Sequence, residues 1–440
     1  MTMAPVNETA NETVDEAAGG QARPYASALP RLLPLVPGVP EDLRAHLARH
    51  GRLPYRGGAD LLIASIQEAG LTGRGGAAFP VSRKLALVAR ARGRKVMVAN
   101  GAESEPASHK DALLLRAAPN LVLDGLQLAA EAIGASEAYL YLHQGVSPEL
   151  TRALSQRDAA GLDWLGVTIT EAPPRFLAGQ ESALVNRLGG GPAVPTFVPP
   201  RVSERGLGGS PTLVQNVETL AHLALIARYG PRWFRALGTA EEPGSMLTTV
   251  HTAHGAQIIE AEIGTPLRAL IPHEHDVQAV LIGGFHGAWL PGDAVGTLTL
   301  DNRALNAHGA AVGAGVIAAL PADRCGLAEA ARVVRYLAAE SAGQCGPCLN
   351  GLPRMAAALA ELAGRGHRRQ TRADLERWAG LVTGRGACNH PDGTARFVRS
   401  ALTVFAPEIS LHGRGHCSAT NRTPFLPLPA GMPTTEDDWT

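Results

Sequence analysis

The chain has 440 residues, 45% of them hydrophobic, with 40 Lys and Arg set against 40 Asp and Glu. That length predicts about two to four domains with ample core, and the balanced charge excludes a nucleic-acid or membrane-surface binder that works through bulk electrostatics. No apolar run reaches the roughly 18–20 residues of a membrane span, so direct membrane insertion is not expected. Five cysteines, gathered rather than spread as staples, point to metal binding in a reducing cytoplasm. Residues 1–25 lack a basic-then-apolar signal pattern and are expected to be a disordered lead-in.

Taken in chain order, a turn at Pro37–Pro40 opens a short helix that runs to about His50. Asp60 to Ala69 reads as a second helix, with Leu62, Ile63, Ile66 and Ala69 on one face and Gly70 as its stop. The stretch Leu71–Pro80 that follows holds three glycines within four positions, at Gly73, Gly75 and Gly76. Such a loop lets backbone amides approach an anion, and Lys84 on the next helix could neutralise a phosphate; a tight structural turn is the alternative. Lys95–Asn100 is a buried strand. It ends in Asn100, Glu103, Ser104 and Glu105, where several polar groups at a strand terminus would be costly as core and so read as a binding site. A long helix from Asp111 to Ala132 and a strand from Ala138 to His143 complete a βαβ pattern, hence a parallel sheet with covering helices.

From about Ser245 the pattern turns to short strands, at Met246–Ala253, Ala256–Glu262 and Val277–Ile282. His251, His254, His273, His275 and His286 are irregularly spaced and read as solvated or hydrogen-bonded rather than metal-binding. The last third is helical, over Leu327–Ala339, Gly351–Ala363, Arg372–Val382 and Phe397–Phe405, with Pro407 as the final stop. Its loops can gather Cys345, Cys348 and Cys388 around a soft metal. Cys325 reads as ordinary core, whereas Leu411–Cys417 reads as a flexible Gly-rich tail with two imidazoles and a thiol.

Glu340-Ser341-Ala342-Gly343-Gln344-Cys345-Gly346-Pro347-Cys348, with Cys388 forty positions on, resembles the iron–sulfur region of the flavoprotein subunits of NADH–quinone oxidoreductase, a family that extends to related NAD-linked hydrogenases and formate dehydrogenases. That family carries a fourth cysteine where this chain has Ala342. Gly73–Pro80 resembles its flavin loop, Gly-Arg-Gly-Gly-Ala-Gly-Phe-Pro, with a Lys four residues beyond. Asn100–Pro106 resembles its Asn-Ala-Asp-Glu-(Gly/Ser)-Glu-Pro, Gly179–Leu184 its Gly-Glu-Glu-Thr-Ala-Leu, and Pro211–Leu220 its Pro-Thr-x-x-Asn-Asn-Val-Glu-Thr-Leu.

The resemblance implies an α/β fold: a Rossmann-like FMN-binding domain over 26–240, a small β-grasp domain over 245–322 acting as a spacer, a four-helix iron–sulfur bundle over 325–410 and a tail over 411–440. It implies that Gly73, Gly75 and Lys84 cradle the FMN phosphate and ribityl, and that Asn100, Glu103, Ser104 and Glu105 line the isoalloxazine. Gly179, Glu181, Gln215 and Asn216 match further cofactor-binding positions, and Phe79 matches an aromatic that stacks on the nicotinamide dinucleotide. Use of NAD(H) stays open, because the family's Lys-Pro-Pro-Phe is here Val198-Pro199-Pro200-Arg201. Three thiols imply a [4Fe–4S] cluster with a fourth ligand from Cys417, His416 or His390, or else a [3Fe–4S] cluster. The implied activity is of the NADH dehydrogenase type: electrons pass from NADH through FMN to the cluster and on to a ferredoxin, a thioredoxin-like [2Fe–2S] subunit or a membrane redox partner. A degenerate, non-catalytic scaffold is the competing reading, and a ligand sensor built on the β-grasp module a third.

Overall fold

The computed structural model describes residues 29–55, 59–143, 145–271, 277–429, 431 and 436–440. The expected disordered lead-in, His273 and His275 lie outside the described residues.

Three helices come first: α1 (Leu43–His50), α2 (Ala59–Ala69) and α3 (Val81–Arg90). Then follow β1 (Val96–Gly101), α4 (Lys110–Ala117), α5 (Pro119–Ile133), β2 (Glu137–His143), α6 (Pro148–Ala159), β3 (Val167–Ala172), α7 (Glu181–Leu188), β4 (Thr212–Asn216) and α8 (Val217–Phe234). The single long helix expected over 111–132 is two helices. Pro119 has no backbone N–H to give to the preceding turn, so it ends α4 and takes the first position of α5. The four strands form an all-parallel sheet in the order β3-β2-β1-β4. β1 to β3 proceed in one direction and β4 returns to the other side of β1, so the chain reverses between β1 and β4. At such a switch point a crevice opens beyond the strand carboxyl ends, here at the register pair Asn100 and Asn216. The covering helices pack tightly enough that a Cβ at Gly125 in α5 would meet the Leu220 carbonyl oxygen of α8 at 1.9 Å.

The second sheet is built from β5 (Ser245–Thr252), β6 (Gly255–Glu262), β7 (Val277–Ile282), β8 (Ala288–Pro291) and β9 (Val316–Pro321), with short helices α9 (Leu267–Leu270) and α10 (Asn302–Asn306) between them. Its order is β6-β5-β9-β7-β8; β5 and β9 are parallel and the other pairs antiparallel. The helices α11 (Gly326–Ala339), α12 (Leu352–Ala363), α13 (Thr371–Val382), α14 (His390–Val404) and α15 (Ala406–Gly413) complete the chain. α14 starts seven residues earlier than expected and α15 continues past Pro407, which sits in that helix's first turn, where its missing N–H costs nothing. Beyond α15 the chain is packed rather than loose. Leu426 is fully buried and its N–H donates to Glu329 at 3.0 Å, while the carbonyl of Trp439 accepts from the amide of Ala193.

Candidate functional site at the carboxyl ends of β1 and β4

A cavity of about 750 Å3 opens at the switch point, within the range usual for cofactor sites. Its lining comes from the glycine-rich loop (Gly75, Gly76), the end of β1 (Asn100, Glu103), the second sheet's loops (His286, Gly313) and the C-terminal helices (Cys388, His390). The second sheet is therefore more than the expected spacer: its glycine loops form one wall. A Cβ at Gly284 would strike the Glu105 carboxylate at 2.5 Å, so this close approach requires glycine.

The glycine-rich loop is closed by Gly73 N–H donating to the Phe79 carbonyl at 2.9 Å and by Val81 N–H donating to Leu71 at 3.0 Å. The buried Arg74 guanidinium ties the loop to Thr72 and to the Ser245 carbonyl. Gly76 lies at φ 102° and Ala78 at φ 49°. Ala78 stands where the resembling family has glycine, in a left-handed conformation that costs a Cβ-bearing residue about 1 kcal/mol. Ala78→Gly is expected to raise stability by up to about 1 kcal/mol, the greater freedom of the unfolded glycine offsetting part of the gain. A thermal midpoint that falls would contradict it.

At the end of β1, the Asn100 amide donates to the Gly179 carbonyl at 2.8 Å and the Gly179 N–H donates to Ser104 Oγ at 2.9 Å. A Cβ at position 179 would meet Ser104 Oγ at 2.6 Å and the Ala102 carbonyl at 2.7 Å, so the clamp admits only glycine. Glu103 accepts from the N–H groups of Lys110, Asp111 and Ala112 and from Ser108 Oγ, capping α4 with a buried carboxylate. Beneath it, Lys110 Nζ lies 2.7 Å from Asp111 and 2.9 Å from Glu218, and the Asn216 amide donates to the other Asp111 oxygen at 2.7 Å. Sequence reasoning passed over Lys110 and Asp111. The signal available was a pair of opposite charges opening a helix directly after the strand-end loop.

Glu105 accepts from Phe285 N–H at 2.7 Å and from Ala107 N–H at 3.2 Å, yet burial pushes its pKa up to about 8. A carboxyl raised above its unfolded value is protonated in the folded chain while the unfolded chain releases the proton. Stability therefore falls as pH rises from the unfolded pKa toward 8, by up to about 1.4 kcal/mol per pH unit. Glu105→Gln is expected to flatten that loss between pH 5 and 8. Urea midpoints that fall equally in both proteins over this interval would exclude the assignment.

Lys84, Phe79, Glu181 and Gln215 are not among the residues that line the cavity. Lys84 donates to the Val214 carbonyl at 2.8 Å and pairs with Glu181 at 2.8 Å, and neither side chain lines the cavity. Phe79 is 42% exposed, and neither it nor any residue of Val198–Arg201 faces the cavity. Gln215 is buried with its amide nitrogen lacking a hydrogen-bond partner. Gln180 does line the cavity and also caps α7, accepting from the N–H groups of Ser182 and Ala183.

Cys345 and Cys348 follow α11 and Cys388 follows α13, and their three sulfurs do not all lie within 4.8 Å of one another. Burial, with the Cys345 and Cys388 thiols nearby, pushes the Cys348 thiol up to about 12. Cys388 itself lines the cavity. On the same lining, Phe176 meets His286 edge-on at 4.8 Å and His390 at 5.7 Å. Burial keeps both imidazoles neutral. His390 Nε2 donates to the Leu337 carbonyl at 2.8 Å, so its Nδ1 accepts from His286 Nε2 at 2.9 Å. Both His390 nitrogens are engaged, which removes it as the fourth cluster ligand. His416 is exposed, and Cys417 belongs to a different group of donors. The reading of His251 and His286 as hydrogen-bonded agrees with their contacts to Ala107 and His390.

Over 380 residues the chain is 31% identical to an F-type subunit of NADH-quinone oxidoreductase in Rhizobium meliloti, covering 80% of this chain and 89% of the relative. The chain belongs to the NADH-quinone oxidoreductase F-type family. A second relative of the same type, in Streptomyces coelicolor, is 32% identical over 81% of this chain and 84% of its own length. Two family models match, the Nuo51 FMN-binding domain over residues 66–225 and the NADH-ubiquinone oxidoreductase-F iron-sulfur binding region over 328–412. They bracket the two halves of the cavity wall, from the glycine-rich loop to Asn216 and from α11 to α15. Among solved structures, an NAD+-reducing [NiFe]-hydrogenase in the H2-reduced state superposes with a TM-score of 0.74 at 28% identity, over 81% of this chain. The chain spans 63% of that hydrogenase chain's length.

Proposed function

We propose that this F-type family member carries electrons from a nicotinamide dinucleotide through FMN, seated at the β1–β4 switch point, to an iron–sulfur centre on Cys345, Cys348 and Cys388. The observation that carries this reading is the cavity itself, in which Cys388 shares one wall with Asn100, Glu103 and Asn216 of the flavin-family motifs. The residues fit the groups. The cavity has cofactor size, and Gly75, Gly76, Asn100 and Asn216 bring a glycine-rich backbone and side-chain amides to its lining. The three thiols are a soft donor set suited to iron–sulfur chemistry.

FMN, when bound, supplies the conversion between hydride transfer and one-electron transfer. The chain's own part is positional. Asn100 and Ser104 fix the Gly179 backbone at the cavity rim, and Glu103 holds the start of α4. Phe176, His286 and His390 pack against one another on the part of the lining that also holds Cys388. The second sheet, in the order β6-β5-β9-β7-β8, reads as the β-grasp module. α11 to α14 read as the four-helix iron–sulfur bundle, and the domain limits follow as 26–240, 245–322 and 325–410.

None of the helices described is long and apolar enough to cross a membrane. Cytoplasmic action beside a ferredoxin or thioredoxin-like [2Fe–2S] subunit is accordingly part of the proposal. The test is anaerobic purification with FMN and iron quantified per chain. Flavin bands with a broad iron–sulfur shoulder, bleached by NADH, are expected. Protein carrying neither chromophore would overturn the reading in favour of a scaffold.

A further inference from the structure

A second cavity, of about 250 Å3, opens at the N-terminal end of α11 and is lined by Cys325, His412 and Cys417. With Glu408 they offer two sulfurs, an imidazole nitrogen and a carboxylate oxygen, all within 4.8 Å of one another. None of Cys345, Cys348 and Cys388 belongs to this group. Three separate chain segments supply the donors. Cys325 precedes α11, Glu408 and His412 stand one turn apart on α15, and Cys417 comes from the tail beyond it.

The geometry is that of a binding site closed around a small ion. His412 Nδ1 lies 2.9 Å from the Ala363 carbonyl and donates to it, which turns the Nε2 lone pair toward the sulfurs. That Nε2 is 3.6 Å from Cys325 Sγ and 3.0 Å from Glu408 Oε1. A tetrahedral ion with metal–sulfur and metal–nitrogen distances of about 2.3 and 2.05 Å places sulfur and nitrogen roughly 3.5 Å apart. The sulfur–nitrogen edge already has that length, and the shorter histidine–carboxylate edge opens by a few tenths of an ångström when an ion enters. Glu408 is held from behind by the Ser418 N–H at 3.0 Å and the Ser418 hydroxyl at 2.5 Å. Two thiolates and a carboxylate exceed a divalent charge by one negative unit, and Arg324, Arg365 and Arg422 line the same cavity to offset it.

We propose that Cys325, Glu408, His412 and Cys417 bind a structural zinc ion. Mixed sulfur, nitrogen and oxygen donors in a tetrahedron select zinc over magnesium or calcium, and four protein ligands leave no open position for catalysis. Binding releases the two thiol protons to solvent. The ion fastens the start of the tail to the head of α11. From there the tail stays docked through Thr420 and Asn421 N–H groups on the Asp323 carbonyl, at 3.1 and 3.0 Å, and through buried Leu426. This gives Cys325 and Cys417 a shared role, in place of core filling for one and cluster ligation for the other.

The experiment measures zinc and iron together in untagged, full-length protein purified anaerobically without chelator. About one zinc per chain is expected in the wild type and in Cys345→Ser, whose iron is lost. In Cys417→Ser, zinc is expected to fall at least about tenfold while FMN and iron remain. Cobalt(II) added to zinc-stripped wild-type protein is expected to give the intense visible bands of a tetrahedral thiolate site, a readout that needs no variant. Three results would overturn the proposal: no zinc retained by the wild type after incubation with zinc chloride and gel filtration, full zinc retained by Cys417→Ser, or Cys325 and Cys417 recovered joined as a disulfide. Flavin and iron content are read from the same samples, so a failed zinc site leaves the electron-transfer reading standing and separately measurable.

Discussion

Replacing Cys348 by serine is expected to strip the chain of most of its iron while leaving FMN bound. Cys348 is 4% exposed, at the first turn after Pro347, with Cys345 and Cys388 around it. With Ala342 at the position of the family's first cysteine, each of the three thiols carries a larger share of the binding than in a four-cysteine site. Loss of a group that merely orients a metal ligand costs 10–100-fold in affinity, so loss of a ligand is expected to lower iron per chain by at least about tenfold. Iron assay and the absorption shoulder read this directly, and unchanged iron would place the cluster elsewhere. The reciprocal substitution, Ala342→Cys, supplies a fourth thiolate three positions before Cys345, where the resembling family carries its first cysteine. It is expected to raise iron per chain and to slow bleaching in air; equal iron and equal air sensitivity would mean that position 342 faces away from the site.

The largest loss of stability is expected from Asp124→Ala, far from either centre. Asp124 lies on α5, its side chain 3% exposed, and receives Arg157 at 2.7 Å, His46 at 2.7 Å and Arg228. Removing the carboxylate leaves the Arg228 guanidinium, 4% exposed, with backbone carbonyls as its remaining partners, while Arg157, 1% exposed, keeps only Asp163 of its two carboxylates. Breaking one partner out of such a cluster costs about 3–5 kcal/mol, read as a lower urea midpoint at pH 7. Although burial opposes its ionisation, the His46 hydrogen bond and the Arg228, His46 and Arg157 charges hold its pKa well below the usual carboxylate range. A depressed folded pKa stabilises the fold above the unfolded value near 3.8, and that stability is lost as pH falls below it. The variant is therefore expected to lose less than the wild type on acidification below about pH 4. A variant with a wild-type midpoint at pH 7 would refute the assignment.

The site was legible in proportion to how local its signals are. The strand at 96–101, its polar end and the glycine loop follow from runs a few residues long, because burial of an apolar run and positive φ at glycine are decided by neighbours in sequence. The thiol group was legible for the same reason at Cys345 and Cys348, and through family resemblance at Cys388. Lys84 and Glu181 illustrate the limit. Both match cofactor positions by sequence, and the structure adds that they pair with each other at 2.8 Å. Which cation meets which anion depends on how α3 and α7 pack, not on either segment alone.

By itself the sequence determined the parallel sheet and the helical C-terminal third, and it nominated residues for a flavin and an iron–sulfur cluster. Periodicity and backbone freedom are properties of short segments and survive without a fold. Only the tertiary structure decided that the second sheet's glycine loops wall the cavity, that Phe176 and His286 line it together with Cys388, and that Cys325 and Cys417 gather with His412. Those meetings join residues tens to hundreds of positions apart. They are fixed by sheet order and helix packing, because a side chain's partners are set by where the whole chain has already placed its backbone.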